Sequence, residues 1–268
     1  VKLKIRHLTR YRYARPLRAA LQNLCLTPRD TAAQRIVEWR LDASGRLQPH
    51  TDAWGNPGHL MQVEAGAREL RCEASGIVET LGEPVEIDRL GPDPHVYLAP
   101  SALAGSDVAM RRDLAERGAA APRDEAGALA LAALVAQQVA YCRGRTDATT
   151  SAVQAWAGGE GVCQDQAHAF IAACRALGVP ARYVSGYFHT EGAGELASHA
   201  WAQVCPQPDL RRWIGVDITH GCLVDERHVQ LAVGPDYAAC SPIRGVRSGG
   251  GGEQLLVQVE IGPVMPSP

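Results

Sequence analysis

Over residues 1 to about 80 the apolar positions recur at every second residue. Leu3 and Ile5 begin the pattern, Val37, Trp39 and Leu41 repeat it, and Leu70 and Cys72 precede Gly76 and Ile77-Val78. A period of two is that of a strand with one covered face. Turn residues separate the runs at Pro28-Arg29-Asp30, Ala43-Ser44-Gly45 and Asp52 to Gly58. Short strands at this spacing predict an all-β, sandwich-like domain over residues 1–82. Residues 83–100 carry Pro84, Pro92, Pro94 and Pro100 among few apolar anchors and read as a linker.

Beyond residue 100 the period lengthens. Helices are predicted over 101–117 and 124–142, the second alanine-rich with Leu129, Leu131, Leu134, Val135 and Val139 on it. A short helix with Thr149-Thr150 as its cap stops at Gly158. The next helix starts near Cys163, buries Ala167, Phe170, Ile171, Cys174 and Leu177, and ends at Gly178-Val179-Pro180. The period then returns to that of strands at Ala181–Tyr187, His199–Val204 and Trp213–Ile218. Leu255 to Ile261 alternates as a final strand, edging the second sheet or returning to the first domain. The predicted fold is α+β, with helices packed on an antiparallel sheet in a domain spanning 101–268.

Composition adds constraints. The net charge of −2 with no basic stripe argues against nucleic acid and anionic membrane surfaces as partners. No apolar run nears the roughly 18–20 residues needed to span a bilayer. The N-terminal segment alternates like a strand and lacks the apolar centre of a signal peptide. Eight cysteines, without a Cys-x-x-Cys pair and mostly in apolar surroundings, read as reduced core thiols. Cytoplasm is therefore the expected compartment. The run Gly249–Gly252 has no following Lys-Ser/Thr and reads as a turn, not a phosphate loop.

Chemistry concentrates between Glu160 and Gly221. Cys163 falls at a helix start, where unpaired amide N–H groups and the helix dipole favour a thiolate. His199 and Asp217 lie on strands that can carry them side by side, facing that helix start. In such a relay His takes the thiol proton and the carboxylate fixes the ring's tautomer. A metal site is not expected: Cys163 and His168 do not share a helical face, and no ligand pair has zinc-finger spacing. No cofactor is expected either. Trp156, Trp201 and Tyr187 are candidate substrate-binding residues, together with Glu191 and Glu195 in a Gly-rich loop before His199. Asp165, His168, Arg182 and Ser185 are read as supports of the helix and strands.

The segments G-V-C-Q-D-x-A-H, P-A-R-Y-V-S-G-Y, S-H-A-W and W-I-G-V-D-x-T resemble the core of the transglutaminase-like superfamily, in particular its bacterial transglutaminase-like cysteine peptidases. H-x-T-x-Y-x-Y-x-x-P at His7–Pro16, L-x-P-R-D at Leu26–Asp30 and the Asp52–Asn56 turn resemble the β-domain that precedes such cores. The resemblance implies a papain-like catalytic fold with Cys163, His199 and Asp217 as its triad. The chain departs from the family's Asp-Pro-Thr-Asn after the third strand, having Asp217-Ile218-Thr219-His220. The implied chemistry is cysteine-dependent hydrolysis or acyl transfer on peptide or glutamine-type amides through a Cys163 thioester, with a peptide or protein amide as substrate. Two alternatives stand beside hydrolysis: a protein-glutamine amine transferase, and a catalytically idle fold serving as a binding or scaffold module.

Overall fold

The computed structural model describes residues 1–190 and 198–264. The first strands are β1 (Lys2–Tyr13), β2 (Leu17–Leu24), β3 (Gln34–Ala43), β4 (Arg46–Thr51), β5 (Pro57–Val63) and β6 (Glu69–Thr80). They split between two four-stranded sheets. Leu3, Ile5, Leu17, Leu24, Met61, Val63, Leu70 and Val78 meet between these sheets in one apolar core. In β3 the alternation expected at Val37, Trp39 and Leu41 changes phase. Ile36 pairs Val78 and Glu38 pairs Ile77, so Val37 is the extra residue of a bulge. Val37 is consequently exposed, and Ile36, Trp39 and Leu41 pack on the core.

The proline-rich stretch after β6 is fastened to the second half of the chain. There β7 (Val85–Ile87) pairs the strand that carries Asp217. Tyr97 is buried against Trp54 and Trp213.

Three helices then form, each started by a side-chain cap. Asp107 caps α1 (Val108–Glu116) through the Met110 N–H at 2.7 Å. The helix expected from residue 101 thus begins later, because Ser101 accepts from Ala104 and turns the chain first. Asp124 caps α2 (Glu125–Gln138) through the Gly127 N–H at 2.8 Å. That helix ends before 142 because β8 (Ala140–Tyr141) leaves it to pair in parallel with β9 (Glu160–Gly161). Between them α3 (Ala152–Gly158) begins on a Ser151–Gln154 capping box, not on Thr149-Thr150. The β8–β9 ladder fixes the approach to α4 (Cys163–Ala176), whose residues 165–174 are buried without interruption.

A further sheet consists of β10 (Ala181–Phe188), β11 (Ser198–Gln207), β12 (Arg212–Asp217), β13 (Cys222–Leu223) and β14 (His228–Gly234), in the order β13-β12-β11-β10-β14 with β7 also on β12. All its pairings are antiparallel. The helices and one sheet face bury Phe170, Ile171, Ala202, Val204 and Val216 together. The fold is therefore α+β, a helix-covered antiparallel sheet preceded by β-rich layers. The chain closes with α5 (Tyr237–Cys240), β15 (Ile243–Gly249) and β16 (Glu253–Pro263). β15 pairs β2 and β16 pairs β1, so residues 243–263 return to the first two sheets and form one edge of each. Gly249, Gly250 and Gly251 all have positive φ, which explains the glycine run in this hairpin. Among the described residues no helix is long and apolar enough to cross a membrane, and all eight cysteines are free thiols.

Candidate active site

Cys163 opens α4, and Val162 before it has extended backbone without a side-chain acceptor. The start is fixed from the other side. The Asp165 carboxylate accepts the Val162 N–H at 2.8 Å and the Thr146 hydroxyl at 2.6 Å. Burial raises the pKa of Asp165, and those two hydrogen bonds oppose the rise. Gly161 is required here, since a Cβ on it would lie 2.6 Å from the Asp165 Cβ. The Cys163 side chain is half-buried. Its amide N–H belongs to the first helical turn, where donors have no partner inside the helix and the dipole favours negative charge.

His199 enters from the start of β11, where it pairs Gly186 of β10. Its Nε2 lies 2.8 Å from Asp217 Oδ2. Cys163 lines the same cleft and acts on the ring as well, and with Nε2 on Asp217 the nitrogen left for the thiol is Nδ1. Burial disfavours the imidazolium, but the bonds to Asp217 and Cys163 outweigh it and hold the His199 pKa up at about 9. Asp217 ends β12 fully buried, one position beyond the Val216–Ala202 pair that aligns β12 with β11.

Two further histidines reach the same carboxylate oxygen. His220 Nδ1 is 2.7 Å and His228 Nε2 is 3.0 Å from Asp217 Oδ2, and the His220 N–H donates to Oδ1 at 3.1 Å. Burial alone would raise the Asp217 pKa, but the three imidazoles hold it well below the usual carboxylate range. His228 is buried, and its Nδ1 lies 3.0 Å from Asp225 Oδ1. Burial lowers its pKa, yet the two carboxylates raise it more, so the net shift is upward. Asp225 is in turn ion-paired to Arg227. The Phe188 ring packs against all three imidazoles, 4.3 Å from His220, 4.7 Å from His228 and 5.3 Å from His199 between centroids.

His199, Asp217 and His228 also form a group whose ligating atoms lie within 4.8 Å of one another. Those atoms are already joined by hydrogen bonds of 2.8 and 3.0 Å. A cation there would replace the bond that orients His199.

A cavity of about 320 Å³ opens beside Cys163 and His199. Tyr183, Tyr187 and Tyr237 contribute to its wall from the second half of the chain. Of the expected binding residues, Tyr187 lines this cleft, its hydroxyl 2.9 Å from His7 Nδ1. Trp201 instead is buried with Val184, Val224 and Val233 and supports the imidazoles from below, 5.2 Å from His228 and 6.1 Å from His199. Trp156 is not a cleft residue: it packs in the helical core, where its Nε1–H donates to Asp113 at 2.9 Å. Glu191 and Glu195 lie outside the described residues.

Asp165, His168, Arg182 and Ser185, read as supports, are all hydrogen-bonded, and Ser185 also lines the cleft. His168 Nε2 accepts the Tyr237 N–H at 3.1 Å, and burial pushes its pKa down to about 4. Arg182 is buried against Glu86, Asp88 and Gln203, and Ser185 donates to the Cys240 carbonyl at 3.0 Å. The sequence reading did not reach His228 or Phe188. A signal for His228 exists: Asp-x-x-His occurs at Asp217–His220 and again at Asp225–His228, and both form ion pairs at that spacing.

A helix-start cysteine facing a His–Asp pair on an antiparallel sheet defines an α+β protein of papain-like architecture. Family comparison agrees. Residues 112–218 match the model of the transglutaminase-like superfamily, and residues 3–79 match that of the bacterial transglutaminase-like N-terminal region. An uncharacterized protein of Mycobacterium tuberculosis, Rv2569c, is 33% identical over 91% of this chain and 87% of its own length. One from Mycobacterium leprae, ML0607, is 29% identical over 97% and 98%. A candidate cysteine protease from Cytophaga hutchinsonii has the same fold, with a TM-score of 0.77 at 23% identity over 99% of this chain and 91% of that one. The chain belongs to the transglutaminase-like superfamily, in the bacterial form that carries this N-terminal region.

Proposed function

We propose that the protein is a cysteine-dependent amidase or peptidase that works through a thioester on Cys163. The observation that carries this reading is the 2.8 Å hydrogen bond from His199 to the buried Asp217, at the cleft that the helix-start Cys163 also lines. His199 Nδ1 takes the thiol proton and Sγ attacks the amide carbonyl, forming a tetrahedral oxyanion. The Cys163 amide N–H at the helix start is the first donor to that oxyanion. The C–N bond then breaks, the imidazolium gives its proton to the departing amine, and an acyl-Cys163 thioester remains. Water, deprotonated by His199, attacks the thioester and releases the acid and the thiol. Asp217 keeps Nε2–H pointed at itself throughout, which fixes the tautomer and stabilises the imidazolium.

Water is the expected acceptor. An amine transferase needs a site that holds the amine and excludes water, since orientation is worth effective molarities of roughly 10⁵–10⁸ M. Among the described residues no Asp or Glu lines the cleft to attract a lysine ammonium. The physiological substrate is read as a peptide or protein amide.

The test is incubation of the protein and of its Cys163→Ala variant with a peptide-amide library, followed by mass spectrometry. Product formation and an acyl adduct on Cys163, both lost in the variant, support the reading. Products that persist in the variant overturn it. Selective failure of Cys163 to react with thiol-directed electrophiles at low pH would favour the idle binding module instead.

A further inference from the structure

We propose that the cleft beside Cys163 holds the acyl-side residue of the substrate by a bulky, uncharged side chain, aromatic or branched aliphatic, and that β1 and β16 supply the wall that selects it. The inference rests on the thioester reading for its orientation, since it places the acyl group in the cavity that Cys163 and His199 open into.

The wall comes from the two ends of the chain. His7, Thr9 and Tyr11 of β1 and Leu255 and Val257 of β16 line the cavity opposite the α4 start, with Ile243 of β15 beside them. β1 and β16 are held in register by their own pairing, Tyr11 with Leu255 and Thr9 with Val257. Their distance from Cys163 in sequence is large, and the return of the C-terminal hairpin to the first sheets is what brings them here. The first sheets therefore contribute to the site directly.

The chemistry of that wall is uncharged. Among the described residues no Asp, Glu, Lys or Arg lines the cavity. Both ring nitrogens of His7 are partnered: Nδ1 meets the Tyr187 hydroxyl of β10 at 2.9 Å and Nε2 meets Thr9 Oγ1 at 3.2 Å. His7 is 2% exposed, and burial pushes its pKa down to about 4, so it adds no charge at neutral pH. An ammonium or carboxylate entering against the β1–β16 wall, away from His199, loses hydration and gains no charged partner there. Leu255 and Val257, by contrast, leave 56% and 43% of their surface to water. An apolar side chain in the cleft covers them. The cavity of about 320 Å³ is at the lower end of the roughly 300–1,000 Å³ of ligand pockets and fits one large side chain with its flanking backbone.

The experiment measures binding apart from catalysis. N-acetyl-Gly-X-amides with X as Phe, Leu, Gln, Glu or Lys are titrated into the Cys163→Ala protein. Phe and Leu are expected to bind about 10- to 100-fold more tightly than Glu or Lys, the range for burying one such side chain. They are also expected to bind more tightly than Gln. Val257→Asp, added to the same protein, should weaken Phe and strengthen Lys, shifting their ratio by about tenfold or more. Leu255→Asp on the same exposed strand is the second variant and should act in the same direction. Gln, Glu or Lys binding as tightly as Phe overturns the inference, as does an unchanged ranking in both wall variants. Hydrolysis of p-nitrophenyl acetate by the unsubstituted protein reads the thioester chemistry with no side chain to select. If that fails while the Phe preference holds, only the catalytic reading falls; if it succeeds without any preference, only this inference falls.

Discussion

His228 Nε2 shares Asp217 Oδ2 with His199 Nε2, at 3.0 and 2.8 Å. One carboxylate oxygen thus serves both the cleft-lining ring of His199 and the buried ring of His228. Beyond His228 come Asp225 and Arg227. Asp217 is held by more than its His199 bond, and its orientation is set from the far side.

Replacing His228 with Gln should therefore lower kcat about 10- to 100-fold, the usual loss when a group that orients a site residue is removed. It should also move the alkaline limb of activity upward. With one imidazole fewer on Asp217 Oδ2, more of the carboxylate's field falls on His199 and favours its protonated form. kcat and the pH profile of kcat/KM check this together. A lower yield of folded protein with both quantities unchanged would assign His228 to stability alone.

His220 stands where the resembling family has Asn. Its Nδ1 and backbone N–H both bond Asp217, and its side chain is partly exposed. His220→Asn retains a donor at that place and should change turnover only a few-fold, the scale of one net hydrogen bond of about 0.5–1.5 kcal/mol. His220→Phe removes the donor and should cost more. Equal rates for the two variants would show that the side-chain bond contributes nothing to catalysis.

The main layers were legible because each had one governing periodicity. The run from Ala167 to Leu177 could only bury its apolar stripe as a helix, and Gly178 stopped it. The phase change at Val37 was not legible, since a bulge is decided by the partner strand and leaves no mark on a single strand. Helix starts were misplaced by up to seven residues at α1, where the chain turns at Ser101 and the helix begins on Asp107 as its cap. The Cys163–His199–Asp217 line was legible from motif order. Trp156 and Trp201 were not placed correctly, because an indole near a motif reads the same whether it lines a cleft or fills a core. The contribution of β1 and β16 to the cleft was out of reach, since it depends on a long-range return of the chain.

Arg182 should be a stability residue. Its guanidinium is 1% exposed and bonds Asp88 at 2.6 Å and Gln203 at 2.7 Å, with Glu86 also paired. These bonds tie β10 to the stretch that crosses between the two halves of the chain. Arg182→Ala leaves the buried Glu86 without its ion-pair partner and Asp88 with Arg29 alone, and should cost about 3–5 kcal/mol of unfolding free energy. Burial raises the Asp88 pKa, but Arg182 and Arg29 overcome it and depress the group. The stability it adds is therefore present above its ordinary pKa of 3.8 and is lost as pH falls below that value. Urea unfolding at neutral and acidic pH measures both effects; an equal midpoint for variant and parent at neutral pH would contradict the assignment.

The last prediction concerns the His199 titration itself. Its folded pKa is raised from 6.5 to about 9, against burial, by Asp217 and Cys163. A raised histidine stabilises the fold fully below 6.5, and that contribution is lost as pH rises through about 9. The imidazolium that gives its proton to the departing amine persists over the same window, so kcat/KM should fall above pH of about 9. Cys163→Ala removes one of the two supports and should lower the His199 pKa, read from its imidazole proton resonances. Asp217→Asn removes the other support and presents an amide where a carboxylate held Nε2–H. The His199 pKa should drop further, the ring should lose its fixed tautomer, and turnover should fall by up to about 10⁴, as in the serine-protease template. An alkaline limb left near 9 in Asp217→Asn would mean that another anion supports the imidazolium. The candidate would then be Asp225 acting through His228, and the relay would run through that pair instead.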